Sequence, residues 1–360
     1  MKRRRRTQIQ MHVIVGIMVL LTGCFRSSLL PYVHDGPAQV LVPTALTGIV
    51  DGRARFREIL CAVRDDHGRS LPEDRPCENT LVRVGGEPAA TGRPVNLGPG
   101  DASLRVFVVP GLYAECIQDL TTIFADGLAH LVTHGYRASV MMVDGRSSSG
   151  HNAAIIRNRI IATSSDGDRL ILIGHSKGAV DILEAVVAHA DIVPRVAAVV
   201  SVAGAINGSP LADGLLDVHR ALLERTSLRG CSPGDGGAIA SLFRAHRLTF
   251  LANNELPSSI RYFSIGGIVE RGETSRLLRA SHRRLDDVDP RNDGQVLWTD
   301  AVIPRATLLG YVTADHWAIA MPFSRTSPEL AATLIDRNAF PREVFLEAIV
   351  RTVQESLADH

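Results

Sequence analysis

The chain has 360 residues, 45% of them hydrophobic and 21% charged. That is enough apolar material for one large or two ordinary domains, and too much for a disordered segment. The formal charge of +1 hides an asymmetry: residues 1–23 hold Lys2 and Arg3 to Arg6 and no acid, and 39 basic residues less these five leaves 34 against 38 acidic ones, a net of −4. The remainder is not the basic surface of a nucleic-acid binder, so no nucleic-acid partner is expected.

Residues 1–24 join a basic start, an apolar stretch from Met11 to Leu21 and the ending Leu21-Thr22-Gly23-Cys24. The apolar stretch is short for a membrane span, and the pattern predicts an export signal over residues 1–23. Small residues before a cysteine resemble a bacterial lipobox, which implies lipidation of Cys24 and a membrane anchor in the cell envelope. Phe25 in place of an aspartate favours the outer membrane. A plain signal peptide, a short signal anchor and a twin-arginine signal at Arg5-Arg6 are the alternatives.

Export permits disulfides. Cys61, Cys77, Cys116 and Cys231 then allow three pairings. Cys61 and Cys77 flank a polar, turn-rich segment with Asp65-Asp66-His67-Gly68, Pro72 and Pro76, so they are expected to pair, leaving Cys116 with Cys231. Metal binding is the alternative, but neither a CxxC nor an H-x-x-x-H spacing is read in its support, and no metal is expected.

Residues 25–38 read as a tether with Pro31 and Pro37, and residues 39–100 as leading strands or an N-terminal extension. Residues 101–360 read as the main domain. Leu104 to Val109 is a β-prone run ending in Pro110-Gly111-Leu112-Tyr113. A helix is predicted next, with Ile117, Leu120, Phe124, Leu128 and Leu131 on one face and Gly135 as its cap. Ser139 to Val143 reads as a strand, residues 144–150 as a loop, and Asn152 to Ala162 as a helix.

Leu170 to Ile173 is an uncharged apolar run, a buried strand by its composition. It runs into Gly174-His175-Ser176-Lys177-Gly178, and a helical pattern with Ala179, Ile182, Leu183, Val186, Val187 and Ala190 follows. Strand, tight turn and helix are the context in which G-x-S-x-G presents a serine nucleophile, here Ser176. Lys177 beside it is the only lysine apart from Lys2. Its ammonium is read either as solvated at the helix start or as a group that biases the pocket towards anionic or polar acyl substrates.

Val196 to Val202 is another strand, and the alternation of strands with helices predicts an α/β fold with a mostly parallel sheet. The rhythm breaks at about 208–258, where two helix-like stretches suggest a cap. Strands return at Ile260 to Ile265 and Ala306 to Val312, separated by a polar loop over 270–295. Residues 341–357 read as an amphipathic closing helix, with Phe345, Ile349, Val353 and Leu357.

A serine hydroxyl needs a base, an orienter for that base and donors for the oxyanion. The chain order Ser…Asp…His is the one this fold uses. Asp293 follows the returning strand, with Asp286, Asp287, Asp289 and Asp300 as competitors. His316 follows the last strand, where the base belongs, and its neighbour Asp315 is expected to point away. The oxyanion donors would be the backbone N–H groups of Lys177 and Leu112. Acylation of Ser176 followed by water attack needs no metal or cofactor.

Pro110-Gly111-Leu112, Gly174 to Gly178, Asn292-Asp293-Gly294-Gln295-Val296 and Asp315-His316-Trp317, in that order, resemble the α/β-hydrolase superfamily, and within it bacterial triacylglycerol lipases and related esterases. The likeness covers roughly 104–325 and includes Tyr262 to Gly267. It implies an α/β-hydrolase fold with a helical cap insertion, a Ser176-His316-Asp293 triad, Leu112 and Lys177 as oxyanion donors, and a small-molecule ester or lipid substrate. The family often has His-Gly at Pro110-Gly111, and Gln or Met at Lys177. Acyl transfer, thioester or amide cleavage by the same triad, and a non-catalytic envelope lipoprotein, are the competing readings.

Overall fold

The computed structural model describes residues 48–165, 167–215 and 233–358. The predicted export signal, the Cys24 lipidation site and Cys231 lie outside these residues. The apolar runs form a sheet, whose strands are β1 Val50–Asp51, β2 Leu81–Val82, β3 Leu104–Val109, β4 Arg137–Val140, β5 Arg169–His175, β6 Val196–Val202, β7 Arg261–Gly267 and β8 Thr307–Val312. Their order is β1-β8-β7-β6-β5-β3-β4. All pairs are parallel except β2, which runs antiparallel to β8.

The strands carry near-continuous apolar runs because both faces of the sheet are covered. On one face Val106, Val108, Ile171, Ile173 and Val200 join a core with the first and last longer helices of the described residues, α1 Arg53–Val63 and α7 Arg342–Ala358, and with α2 Ala125–Thr133. On the other, Phe107, Val109, Leu170, Leu172 and Val199 pack against α3 Ser149–Thr163 and α4 Lys177–Ala188. The remaining longer helices are α5 Arg244–Asn253 and α6 Arg279–Asp286.

Residues 39–100 differ from the expectation of leading strands. Their principal described element is α1, in which Phe56, Ile59, Leu60 and Val63 are buried at helical spacing and pack into the core shared with α7. Cys61 at its end is disulfide-bonded to Cys77. Cys116 is also disulfide-bonded; Cys231, its expected partner, is outside the described residues.

The long helix predicted after β3 is broken in two. Ala114–Ile117 is a single tight turn, and α2 starts only at Ala125. Phe124 has a left-handed backbone, φ 48°, and its N–H donates to the Ala320 carbonyl at 2.7 Å. A distant partner thus outcompetes the local helical bond. The polar stretch 270–295 contains α6, whose Ser281, His282 and Leu285 are buried together with Leu278 just before it. The closing helix α7 is not amphipathic in the expected sense: it is buried on nearly every side from Arg342 to Val353. Arg342 Nε lies 2.7 Å from Asp126 Oδ2, so its charge is paired inside.

The described parts of 208–258 lie against α3 and α4. Ser148 at the start of α3 donates to Asp235 through its N–H at 2.8 Å and its hydroxyl at 2.6 Å. Arg247 of α5 pairs with Glu184 of α4 at 2.8 Å.

Candidate active site

After β1 and β2, which pair with β8, the chain crosses to β3, goes out to the edge strand β4 and returns to β5 on the other side of β3 before continuing to β6, β7 and β8. That reversal makes the carboxyl ends of β3 and β5 a switch point, where open α/β sheets leave a crevice. Two predicted site segments, Gly111-Leu112 and Ser176, emerge there.

Ser176 joins β5 to α4 with φ 56° and ψ −128°, a region that L-residues rarely occupy. The turn is so tight that a Cβ on Gly174 would lie 2.3 Å from the Ala179 Cα, and one on Gly178 would lie 2.2 Å from the Val109 carbonyl oxygen. Both contacts are with backbone, which cannot yield without moving the strand or the helix. Gly111 is pressed against the serine itself: a Cβ there would be 3.1 Å from Ser176 Oγ. The backbone of the β3 loop therefore runs directly beside the hydroxyl.

His316 Nδ1 lies 2.8 Å from Asp293 Oδ2, with both side chains buried. The His316 N–H also donates to the Asp293 carbonyl at 2.9 Å. The second carboxylate oxygen of Asp293 accepts from the N–H groups of Gln295 at 2.9 Å and Val296 at 2.8 Å. The carboxylate is thus held from behind by its own turn and can serve only as an acceptor for the imidazole. Proton donation from Nδ1 leaves Nε2 with the free lone pair. Ser176 and His316 line one cleft of about 850 Å³, counted out to its open mouth. Three of the four competitors of Asp293 are engaged elsewhere, Asp286 with Arg271, Asp289 with Arg291 and Asp300 with Arg244, and Asp287 is exposed. Asp315 turns away from the imidazole and accepts from the N–H groups of Ser275, Trp317 and Ala318. Burial holds its carboxyl above the usual range.

Leu112 lines the cleft beside Ser176, and Lys177 opens α4. The first residues of a helix have N–H groups with no intrahelical acceptor, so the Lys177 N–H is free of helical duty. The Lys177 side chain corrects both sequence readings. It is neither solvated nor in the pocket. It is fully buried, with Nζ 2.7 Å from Asp181 Oδ1 one turn along α4, and the other Asp181 oxygen accepts from Asn152 of α3 at 2.7 Å.

Sequence reasoning assigned no part to His175. It is buried beneath His316, with ring centroids 4.7 Å apart, and its Nε2 lies 3.0 Å from the His316 carbonyl. Burial, and then the neighbouring imidazole, push its pKa well below the ordinary value. A neutral ring donating from Nε2 therefore supports the backbone of the base. The remaining wall includes residues outside every motif: Ile117, Thr121, Met142, Leu278 and Met321. Only the mutual approach of four separate segments brings them together.

No protein-family model matches the chain, and neither does any curated protein sequence. Among solved structures, the crystal structure of the metagenomic carboxyl esterase MGS0156 superposes with a TM-score of 0.87 at 47% identity, covering 90% of this chain and 98% of that one. The chain belongs to the α/β-hydrolase superfamily. The propeptide form of the Bacillus licheniformis lipase BlEst2 shares the fold, with a TM-score of 0.52 at 23% identity over 68% of this chain and 52% of that one. As an α/β-hydrolase, the chain places its G-x-S-x-G turn at the switch point of the sheet and its histidine loop after β8, and Ser176 and His316 line one cleft.

Proposed function

We propose that the protein is a serine carboxylic-ester hydrolase that works through Ser176, His316 and Asp293. The observation that carries this reading is the His316–Asp293 contact of 2.8 Å at the cleft that also holds Ser176 on its strained turn. His316 Nε2 takes the Ser176 proton as the hydroxyl attacks the ester carbonyl, and Asp293 fixes the tautomer and stabilises the imidazolium. The carbonyl oxygen becomes an oxyanion and is met by the N–H groups of Leu112 and Lys177. The imidazolium then protonates the leaving alcohol. Water, deprotonated by the same histidine, cleaves the acyl-enzyme and releases the acid. The largely apolar wall of Leu112, Ile117, Ile123, Met142, Leu278 and Met321 suits an apolar acyl chain.

The same reading gives the chain an exported, lipid-anchored form tethered through Cys24. The basic start, the apolar stretch and the cysteine after Gly23 support it. The Cys61–Cys77 disulfide is consistent with an oxidising compartment. No helix among the described residues is long and apolar enough to cross a membrane.

The test is hydrolysis of a graded series of acyl esters by the wild type and by Ser176→Ala. Turnover that vanishes in the variant across the whole series supports the proposal, and turnover that survives the substitution overturns it. Mass spectrometry of the product of metabolic labelling with a fatty acid checks the anchor: acyl mass on the peptide that begins at Cys24 is the expected result, and an intact Met1 terminus contradicts it.

A further inference from the structure

We propose that His67, His130, His134 and Glu347 form a site for a divalent transition metal of the zinc class, separate from the ester-hydrolysing cleft. None of the four lines that cleft. The expectation that the chain binds no metal passed over a usable spacing: His130 and His134 form an H-x-x-x-H pair one turn apart at the end of α2. His67 comes from the helical turn Arg64–Gly68 that extends α1, and Glu347 from the middle of α7. Each side chain offers one donor atom, and the four donors lie within 4.8 Å of one another.

The way the four groups are held fits ligation. Glu347 has no exposed side-chain surface, and its two oxygens lie 2.8 Å from His67 Nδ1 and 2.7 Å from His130 Nε2. The His134 ring is within 4.2 Å, centroid to centroid, of both other imidazoles. Its Nδ1 lies 2.9 Å from the His130 carbonyl. Donation there leaves the His134 Nε2 lone pair for a metal, as the backing of metal-bound imidazoles by carbonyl or carboxylate acceptors requires. His67 has the same kind of backing, with Nε2 3.2 Å from Asp66 Oδ2. With that nitrogen as donor, His67 Nδ1 would face Glu347 lone pair to lone pair unless a second proton or a metal lies between them. Arg351 Nε, 2.7 Å from Glu347 Oε1, fixes the carboxylate from outside.

A tetrahedral zinc with bonds of about 2.0–2.1 Å sets its donors about 3.4 Å apart. Donors spread over at most 4.8 Å reach that arrangement by side-chain shifts of about 1 Å, with loss of the bridging protons to solvent. Three imidazole nitrogens and one carboxylate oxygen select zinc over calcium or magnesium, which prefer all-oxygen shells. The ligands come from three segments far apart in the chain, so the metal would tie α1 and α2 to the buried helix α7. Its role is to hold the fold, and the ester chemistry has no need of it.

The test uses the mature chain without a polyhistidine tag, stripped with a chelator and titrated with zinc alone. The expected result is one equivalent bound per chain, with a rise in Tm of about 4 °C when zinc is a hundredfold above its Kd. Cobalt in place of zinc should give the visible absorption of a four-coordinate site. His134 is half-buried, and its side chain hydrogen-bonds within its own helix, to Thr133 and to the His130 carbonyl, while the bond from the Gly100 N–H goes to its backbone carbonyl. His134→Ala should therefore fold, hydrolyse esters as the wild type does, and bind zinc about 100-fold more weakly or worse. His67→Ala should behave alike. Absence of a stoichiometric site in the wild type, or undiminished binding in both variants, would overturn the proposal.

Discussion

Replacing Lys177 by Met tests what its ammonium does. Lys177 and Asp181 are 0% and 1% exposed and 2.7 Å apart. Removing the cation leaves Asp181 buried with only the Asn152 amide as a side-chain partner. Breaking one half of a buried ion pair costs about 3–5 kcal/mol. For a chain of this size that lowers Tm by about 4–7 °C. Neutralising both partners, Lys177→Met with Asp181→Asn, keeps an acceptor for Asn152 and should recover at least about 2 kcal/mol, so the two substitutions are strongly non-additive. Urea unfolding followed by circular dichroism measures both effects. The ratio of kcat/KM for an anionic ester to that for its neutral analogue should not move in the single variant, because the side chain runs along α4 and away from the cleft. Wild-type stability in Lys177→Met would refute the buried pair. A changed charge preference would show that the ammonium reaches the substrate after all.

Two further outcomes follow from particular contacts. Asp293→Asn keeps an oxygen for the N–H groups of Gln295 and Val296 but turns an amide donor towards His316 Nδ1, which stabilises the wrong tautomer. Steady-state kinetics should show kcat lower by about 10⁴ with unfolding unchanged; full activity would remove Asp293 from the mechanism. Burial alone would raise the Glu58 pKa, but Thr91, Arg55 and the Gly92 N–H outweigh it and hold the carboxyl at about 2, below its ordinary 4.5. A depressed carboxyl stabilises the fold above pH 4.5 and loses that contribution as pH falls towards 2. Because the site is near the surface, solvent screening reduces the effect to about 1 kcal/mol. Glu58→Gln should be less stable than the wild type by that amount at pH 7 and converge with it near pH 2; a constant difference would contradict the linkage.

The strands and the G-x-S-x-G turn were legible because their cause is local. Leu170 to Ile173 is apolar on both faces since helices cover both faces, and the glycines of the turn answer to backbone atoms a few residues or one strand away. The Cys61–Cys77 pair was legible because the bridge spans only 16 positions of turn-rich chain. What stayed hidden depends on distant partners. The break at Phe124 is set by the Ala320 carbonyl. α7 can bury Arg342 because Asp126, a long way back in the chain, meets it. α1 carried its helical spacing openly in Phe56, Ile59, Leu60 and Val63, and the leading-strand expectation passed over it. Lys177 looked exposed because the acid that draws it inward, Asp181, reads as an ordinary helix-surface residue until Asn152 of α3 is seen against it. The His67, His130, His134 and Glu347 cluster is likewise assembled by the fold alone, apart from its H-x-x-x-H pair.

The central claim is that Ser176 is a nucleophile activated by His316. Reaction of the folded chain with a fluorophosphonate, followed by peptide mass spectrometry, tests it most directly. The expected result is one covalent adduct per chain, located on Ser176, formed in step with loss of ester hydrolysis and greatly slowed in His316→Ala. An unlabelled Ser176 in a chain that still hydrolyses esters, or labelling as fast without His316 as with it, would contradict it.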